Sequence, residues 1–191
     1  RVKMFLKKRN YIYGLDLGNF ALKLVLISYN KGNIELKKAE FKKFENTVFE
    51  EGIIGDKKRI MTTVSDLISS NTKVDLSCAL DNDFVVIRNI HLPYMEDEAI
   101  KETLRWEFSD HLPFKSKEAI IDYQRKKAGD ELDITAVLAP QNKIKSYVET
   151  FQNYNLKTLN IQPAALLNIF KFNGISSTNL ILDIGSFSTK L

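Results

Sequence analysis

Apolar and polar positions alternate along this chain with two different periods, and the switches between them lay out its elements. Tyr11–Leu17 and Ala21–Tyr29 are strand-like, rich in β-branched and aromatic residues; in the second, Leu22, Leu24 and Leu26 alternate with Lys23, Val25 and Ile27. Asn30-Lys31-Gly32-Asn33 predicts a turn into a third strand, Ile34–Phe41, so these segments read as an antiparallel meander. Asp56 then caps a predicted helix in which Ile60, Val64, Leu67 and Ile68 recur at i, i+4, i+7 and i+8. Short strands follow at Val74–Leu80 and Phe84–Ile87.

The texture changes around Pro93. Glu96, Asp97 and Glu98 load the first turn of a helix, where negative charge suits the dipole. Ile100, Leu104 and Phe108 form its stripe, and Pro113 is expected to stop it. Ala119–Tyr123 and Leu132–Leu138 predict strands on either side of a charged turn at Gly129. A helix over Gln141–Tyr154 would put Ile144, Val148 and Phe151 on one face. A strand at Leu156–Ile161, a short helix opened by Pro163 and running to Phe172, and a strand at Leu180–Ile184 complete the pattern. Strands alternating with helices make the class α/β.

Composition narrows this little. With 191 residues, 44% apolar and 27% charged, the chain has enough apolar side chains for a normal core. Its apolar runs are only a few residues long, so no membrane span and no secretory signal are expected. One cysteine, Cys78, excludes an intramolecular disulfide or a multi-thiolate metal site, and points to a cytosolic compartment. The net charge of +4 is a property of one end. Arg1, Lys3, Lys7, Lys8 and Arg9 supply five positive charges, leaving 23 basic against 24 acidic residues elsewhere. That leader is either a solvated tail or a weakly membrane-attracted one, and no basic stripe suggests nucleic acid.

The chemistry lies in an internal repeat. Leu15–Leu24 reads LDLGNFALKL and Leu182–Leu191 reads LDIGSFSTKL, with six of ten positions identical. Their separation of 167 residues is too long for a solenoid and fits two similar half-domains, each presenting a strand and turn. An aspartate at a strand end can hold a hydrated divalent cation, because hard cations prefer oxygen and magnesium keeps its waters. A glycine two residues on lets the backbone approach phosphate oxygens with its N–H groups. Ser186, Ser188 and Thr189 can add donors, and Lys23 can return a positive charge to the same phosphates. A single D-x-G turn is commonly structural; two in matching contexts form a pattern.

The two turns resemble the phosphate-1 and phosphate-2 motifs of the actin-like ATPase superfamily. Leu104–Phe114 (LRWEFSDHLPF), Ile121–Gln124 (IDYQ), Val137–Tyr147 (VLAPQNKIKSY) and Asn160–Leu166 (NIQPAAL) further resemble the type IV pilus assembly family PilM, also called competence protein A. The resemblance covers essentially the whole chain but about the N-terminal half of such a protein, so a fragment is expected. It implies an actin-like, ribonuclease H-like fold. Residues 1–89 and 160–177 would form subdomain 1A, residues 90–159 an inserted subdomain 1C, and residues 178–191 the start of subdomain 2A. It implies ATP and magnesium as ligands, with Asp16 and Asp183 holding the metal through water. Gly18, Asn19, Phe20, Lys23, Gly185, Ser186, Ser188 and Thr189 would line the phosphates, although Asn19 and Phe20 stand where the family usually has small hydroxyl residues. It also implies a scaffold on the cytoplasmic face of the inner membrane, recruiting the N-terminal tail of PilN between 1A and 1C alongside other pilus assembly proteins. Self-association stays open, as do the alternatives of an active ATPase or sugar kinase and an FtsA-like filament former.

Four residues carry two readings each. Gln162 either orients an attacking water, a role glutamine suits as a hydrogen-bonder, or caps the helix begun by Pro163. Trp106, about a third of a turn off its helix stripe, is either buried by a wide core face or an anchor for a partner. His91 and His111 lack neighbouring ligands in sequence, which makes metal binding an unfavoured reading for either.

Overall fold

The chain buries Leu15 and Leu17 on one strand and Leu22 and Leu24 on the next, and the first sheet grows from this quartet. A computed structural model describes residues 10–30, 32–68, 73–80, 85–109, 112–175, 180–185 and 189–190. β1 (Asn10–Leu17), β2 (Ala21–Asn30) and β3 (Asn33–Lys43) form the expected antiparallel meander, with Gly32 at φ 86° in the second turn. Two short strands that sequence reading missed follow, β4 (Phe49–Glu50) and β5 (Ile53–Ile54). Helix α1 (Lys57–Leu67) begins as predicted: the Asp56 side chain accepts from the Arg59 N–H at 3.0 Å, and Ile60, Val64 and Ile68 are buried. Its C-terminal end has no basic residue of its own; Lys38 Nζ donates to the Leu67 carbonyl at 2.8 Å instead.

β6 (Asp75–Leu80) then runs parallel to β1, and the later strand β10 (Asn155–Ile161) runs parallel to β6. The sheet order is β10-β6-β1-β2-β3. β3 is an edge, and it carries the devices that discourage further pairing: Lys37, Lys38, Lys42 and Lys43, and a register shift opposite Leu26 and Ile27 that leaves Lys37 without a cross-strand partner.

The second sheet, in the order β7-β9-β8, is built from β7 (Val86–Pro93), β8 (Ala119–Ala128) and β9 (Glu131–Pro140), all antiparallel. Pro93 ends an edge strand, where its missing N–H removes no central ladder bond; the strand was expected to stop at Ile87. Helix α2 (Asp97–Glu107) lays Ile100, Leu104 and Phe108 against Leu92, Leu132, Ile134, Ala136 and Leu138. It ends before Pro113, capped where the Phe108 N–H reaches the Leu104 carbonyl at 3.2 Å. Two residues of the motif segments fasten it. Tyr123 Oη donates to Asp97 Oδ1 at 2.8 Å, and Arg105 reaches the Ala119 carbonyl at 3.4 Å. Arg125 adds an ion pair to the same Asp97 carboxylate at 2.9 Å.

Two expectations are corrected here. Helix α3 (Gln141–Thr150) is rotated from the predicted face: Lys143, Ser146, Tyr147 and Thr150 are buried with Phe151, while Val148 is exposed. A hydrophobic count treats lysine, serine and threonine as polar and so misses this face. Trp106 is not buried by a wide core face; it is 76% exposed. The chain divides into two compact units, Arg1–Glu50 with Ile54–Asp81 and Val148–Leu191, and Glu51–Ile53 with Asn82–Tyr147. β7 pairs within the second sheet from Val86, and β10 pairs within the first from Asn155.

Helix α4 (Gln162–Phe172) buries none of its residues, and β11 (Asp183–Ile184) pairs with β12 (Thr189–Lys190). β11 is shorter than the expected strand from Leu180. For α1, Asp56→Ala should cost about 1 kcal/mol and Asp56→Asn only a few tenths. The midpoint of urea unfolding checks this; equal losses for both variants would remove the cap from the account.

Candidate functional site

Asp16 lies between Leu15 and Leu17, and a strand's two-residue period sends it to the face opposite those buried leucines. Its cross-strand partner in β2 is Lys23, and Lys23 Nζ stands 2.8 Å from Asp16 Oδ2. The hydrogen bond that Lys23 donates to Asp16 is the main reason its ammonium titrates above the ordinary lysine value; the charges of Asp16 and Asp183 add to it, against a partial burial that pulls the other way. Asp183 in turn accepts from Gln162 Nε2 at 3.0 Å. Asp16, Lys23, Asp183 and Gln162 therefore form one group in the first unit. Asp16 and Gln162 sit at the carboxyl ends of parallel strands β1 and β10, where open α/β sheets bind ligands.

The sequence repeat is also a repeat of backbone register. Asp16 pairs with Lys23 and Leu17 with Leu22 across the first turn; Asp183 pairs with Lys190 and Ile184 with Thr189 across the second. Gly185 and Thr189 belong to that second hairpin and are exposed, while Ser186 and Ser188 lie outside the described residues.

The first turn departs in one respect from the expected row of free N–H donors. The Gly18 N–H closes the turn on the Ala21 carbonyl at 2.8 Å, and Gly18 does not take a left-handed φ. Glycine there leaves out a side chain rather than permitting an unusual backbone. The turn is braced from a segment that sequence reading passed over. Thr47 Oγ1 donates to Asn19 Oδ1 at 3.0 Å, the Val48 N–H to the Asn19 carbonyl at 3.2 Å, and the Phe44 N–H to the Phe20 carbonyl at 2.8 Å. The Asn19 side chain thus has a structural partner in Thr47, whereas Phe20 is held through its backbone alone. No periodicity marks residues 44–49 in the sequence, so only the fold could reveal them.

Gln162 is the first residue of α4, whose N-cap is Ile161 with no side-chain capping bond. The capping reading is thereby replaced: the amide of Gln162 is engaged with Asp183. Among the described residues no group of three His, Cys, Asp or Glu side chains could enclose a metal. Two carboxylates on facing turns suit a cation that keeps most of its waters and takes its other ligands from phosphate, as magnesium does. His91 is bonded to its cross-strand neighbour Asp133 at 2.7 Å, and His111 lies outside the described residues. No helix among the described residues is long and apolar enough to cross a membrane.

Parallel strands that deliver an acid to their carboxyl ends, with a second strand-turn repeating the first, define an α/β chain of the actin-like class. A family model described as type IV pilus assembly protein PilM matches residues 14–178. The chain belongs to this family. Among solved structures, a PilM–PilN type IV pilus biogenesis complex matches with a TM-score of 0.79 and 24% identity, over 93% of this chain and 56% of that one. The cytoplasmic domain of EpsL, an inner membrane component of the type II secretion system of Vibrio cholerae, matches with a TM-score of 0.53 and 8% identity, over 79% and 57% respectively. The chain therefore spans little more than half the length of the structures it matches. No match is found among curated proteins.

Cys78 lies directly behind this group, paired in register with Leu15. Burial, with a further contribution from the Asp16 charge, pushes its thiol up to about 12. A thiol reagent at pH 8 should then label Cys78 only as fast as the protein opens, and urea should accelerate it. Stoichiometric labelling within seconds under native conditions would show that the strand is not packed as described.

Proposed function

We propose that this chain is the phosphate-binding and partner-recruiting part of a PilM-type scaffold, acting at the cytoplasmic face of the inner membrane in type IV pilus assembly. The observation that carries the nucleotide reading is the convergence of Asp16, Lys23 and Asp183 from the two copies of the repeat, with Gln162 bonded to Asp183. Asp16 and Asp183 hold the magnesium through its waters, and Lys23 meets the phosphates. Magnesium supplies charge neutralisation for the phosphate oxygens. Gly185 and Thr189 of the second hairpin contribute further phosphate contacts. Gln162 holds Asp183 through Nε2 and is a positioning residue for it. On this reading ATP is a structural ligand that closes the scaffold, with slow hydrolysis.

On this reading the first unit corresponds to subdomain 1A with the opening hairpin of 2A, and the second unit to the inserted subdomain 1C. The second unit presents Trp106 to solvent at the C-terminal end of α2, and an exposed tryptophan is the side chain most often found at a binding hot spot. We assign it to the N-terminal tail of PilN, the partner carried by the matched complex.

Both assignments are open to measurement. In a protein extended to full PilM length, Asp16→Ala and Lys23→Ala should weaken magnesium-ATP binding at least about tenfold by calorimetry, with little change in melting temperature. Unchanged affinity would return both residues to structure. The PilN arm uses fluorescence anisotropy with a labelled N-terminal PilN peptide and the 191-residue chain. Trp106→Ala should weaken binding about 30-fold, the loss typical of a hot-spot aromatic, while Lys23→Ala should leave it intact. A folded chain without saturable peptide binding would overturn the recruitment reading.

A further inference from the structure

Lys23 does something in this structure that phosphate binding alone does not require: its ammonium lies on one of the two carboxylates assigned to the cation. Its bond to Asp16 Oδ2 at 2.8 Å is direct, and the hydrogen-bonded register of β1 and β2 sets the two residues opposite each other. Asp183, which attracts the same ammonium, is held by Gln162 at 3.0 Å. We infer that Lys23 is a built-in counter-ion that competes with a divalent cation for Asp16, so that the cation enters only together with a polyphosphate that draws the lysine away.

This deepens the phosphate-site reading and rests on it. The charge argument is short. Two carboxylates would attract a divalent cation, but with the Lys23 ammonium on Asp16 the local charge falls from −2 to −1, and one oxygen of each carboxylate is already hydrogen-bonded. A hydrated magnesium ion must then displace an ammonium that has nowhere better to go. A polyphosphate changes that balance, because its oxygens offer Lys23 charge-assisted hydrogen bonds at least as strong as the one it leaves. Cation and phosphate thereby become coupled ligands, each raising the other's affinity by the same factor. The lysine costs the resting protein little, since it satisfies the acids that would otherwise repel each other.

The test uses the 191-residue chain and magnesium chloride alone, against sodium chloride of equal ionic strength, with melting temperature as readout. Lys23 is largely exposed, so Lys23→Met, which keeps the aliphatic stem, should fold; Lys23→Gln is a second version of the same change. The wild-type chain should show no magnesium-specific shift. Lys23→Met should melt close to wild type in sodium chloride and rise by roughly 3–6 °C in magnesium, the response of a newly opened site at about tenfold excess over its Kd. Adding Asp183→Asn to Lys23→Met should remove that gain, and Lys23→Arg should restore the wild-type indifference. A wild-type shift as large as that of Lys23→Met would show that the lysine does not compete with the cation, with the carboxylate site intact. No magnesium response in either neutral variant would overturn the cation assignment of Asp16 and Asp183 as well.

Discussion

The register of β1 against its two neighbours is the constraint from which the rest follows. β1 is antiparallel to β2 on one side and parallel to β6 on the other, so its position along the strand axis is fixed from both. Leu15 and Leu17 are buried, as are their partners Leu24 and Leu22 in β2 and Cys78 in β6. A slip of one residue would exchange the faces, putting Asp16 among leucines and two leucines into solvent. Burying an unpaired carboxylate is expensive enough that the alternative register has no competing stability. The apolar residues on one face therefore decide where the acid stands on the other, and the same ladder puts Lys23 opposite it.

The Asp16–Lys23 pair does not hold the fold together. Both side chains are largely exposed, and pairs of that kind contribute about 0–1 kcal/mol. Its importance lies in position. The backbone ladder and the braces from Thr47, Val48 and Phe44 keep the first turn in one conformation, so the two charged groups meet without a large ordering cost at the moment of binding. The second hairpin repeats the acid-opposite-lysine register with far less surrounding structure: β11 and β12 are two residues each, and Leu182 and Ile184 are exposed. The bond from Gln162 ties its aspartate to the start of α4, which makes that helix a positioning element for the second turn as well as a connection.

Much of this was legible in the sequence, and the misses have physical causes. The meander, the Asp56 cap and the α2 stripe followed from periodicity, because in each the buried face is made of aliphatic residues that any hydrophobic count detects. The identity of the two turns followed from the repeat, and the structure adds that the matching lysines are cross-strand partners of the matching acids. The α3 face was misread because Lys143, Ser146 and Thr150 are buried although such residues count as polar. Sheet membership was not legible because strand pairing is non-local: nothing in Val86–Pro93 or Asn155–Ile161 states which sheet will accept it. The bracing by Thr47 was invisible for the same reason. A single threonine twenty-eight positions from Asn19 acquires meaning only when both turns are in place.

The motif segments of the second unit show how one signature can mix two kinds of constraint. Tyr123 and Arg105 are turned to Asp97 and to the Ala119 carbonyl, so they fasten α2 to its sheet and their chemistry is spent within the unit. Trp106, the next residue after Arg105, makes no contribution to that core and stands in solvent. A helix places neighbouring residues about 100° apart, so a run such as Leu104-Arg105-Trp106 must address three directions at once: core, sheet edge and solvent. The first two are required for folding and would persist in any protein that keeps this helix. The third is not, and exposing a large aromatic surface has no folding advantage to explain it. The phosphate-site residues all lie in the first unit and Trp106 lies in the second, with its own hydrophobic cluster beneath it. Two surfaces built on separate cores can be altered one at a time, which is the physical basis for testing the proposed nucleotide and partner sites separately.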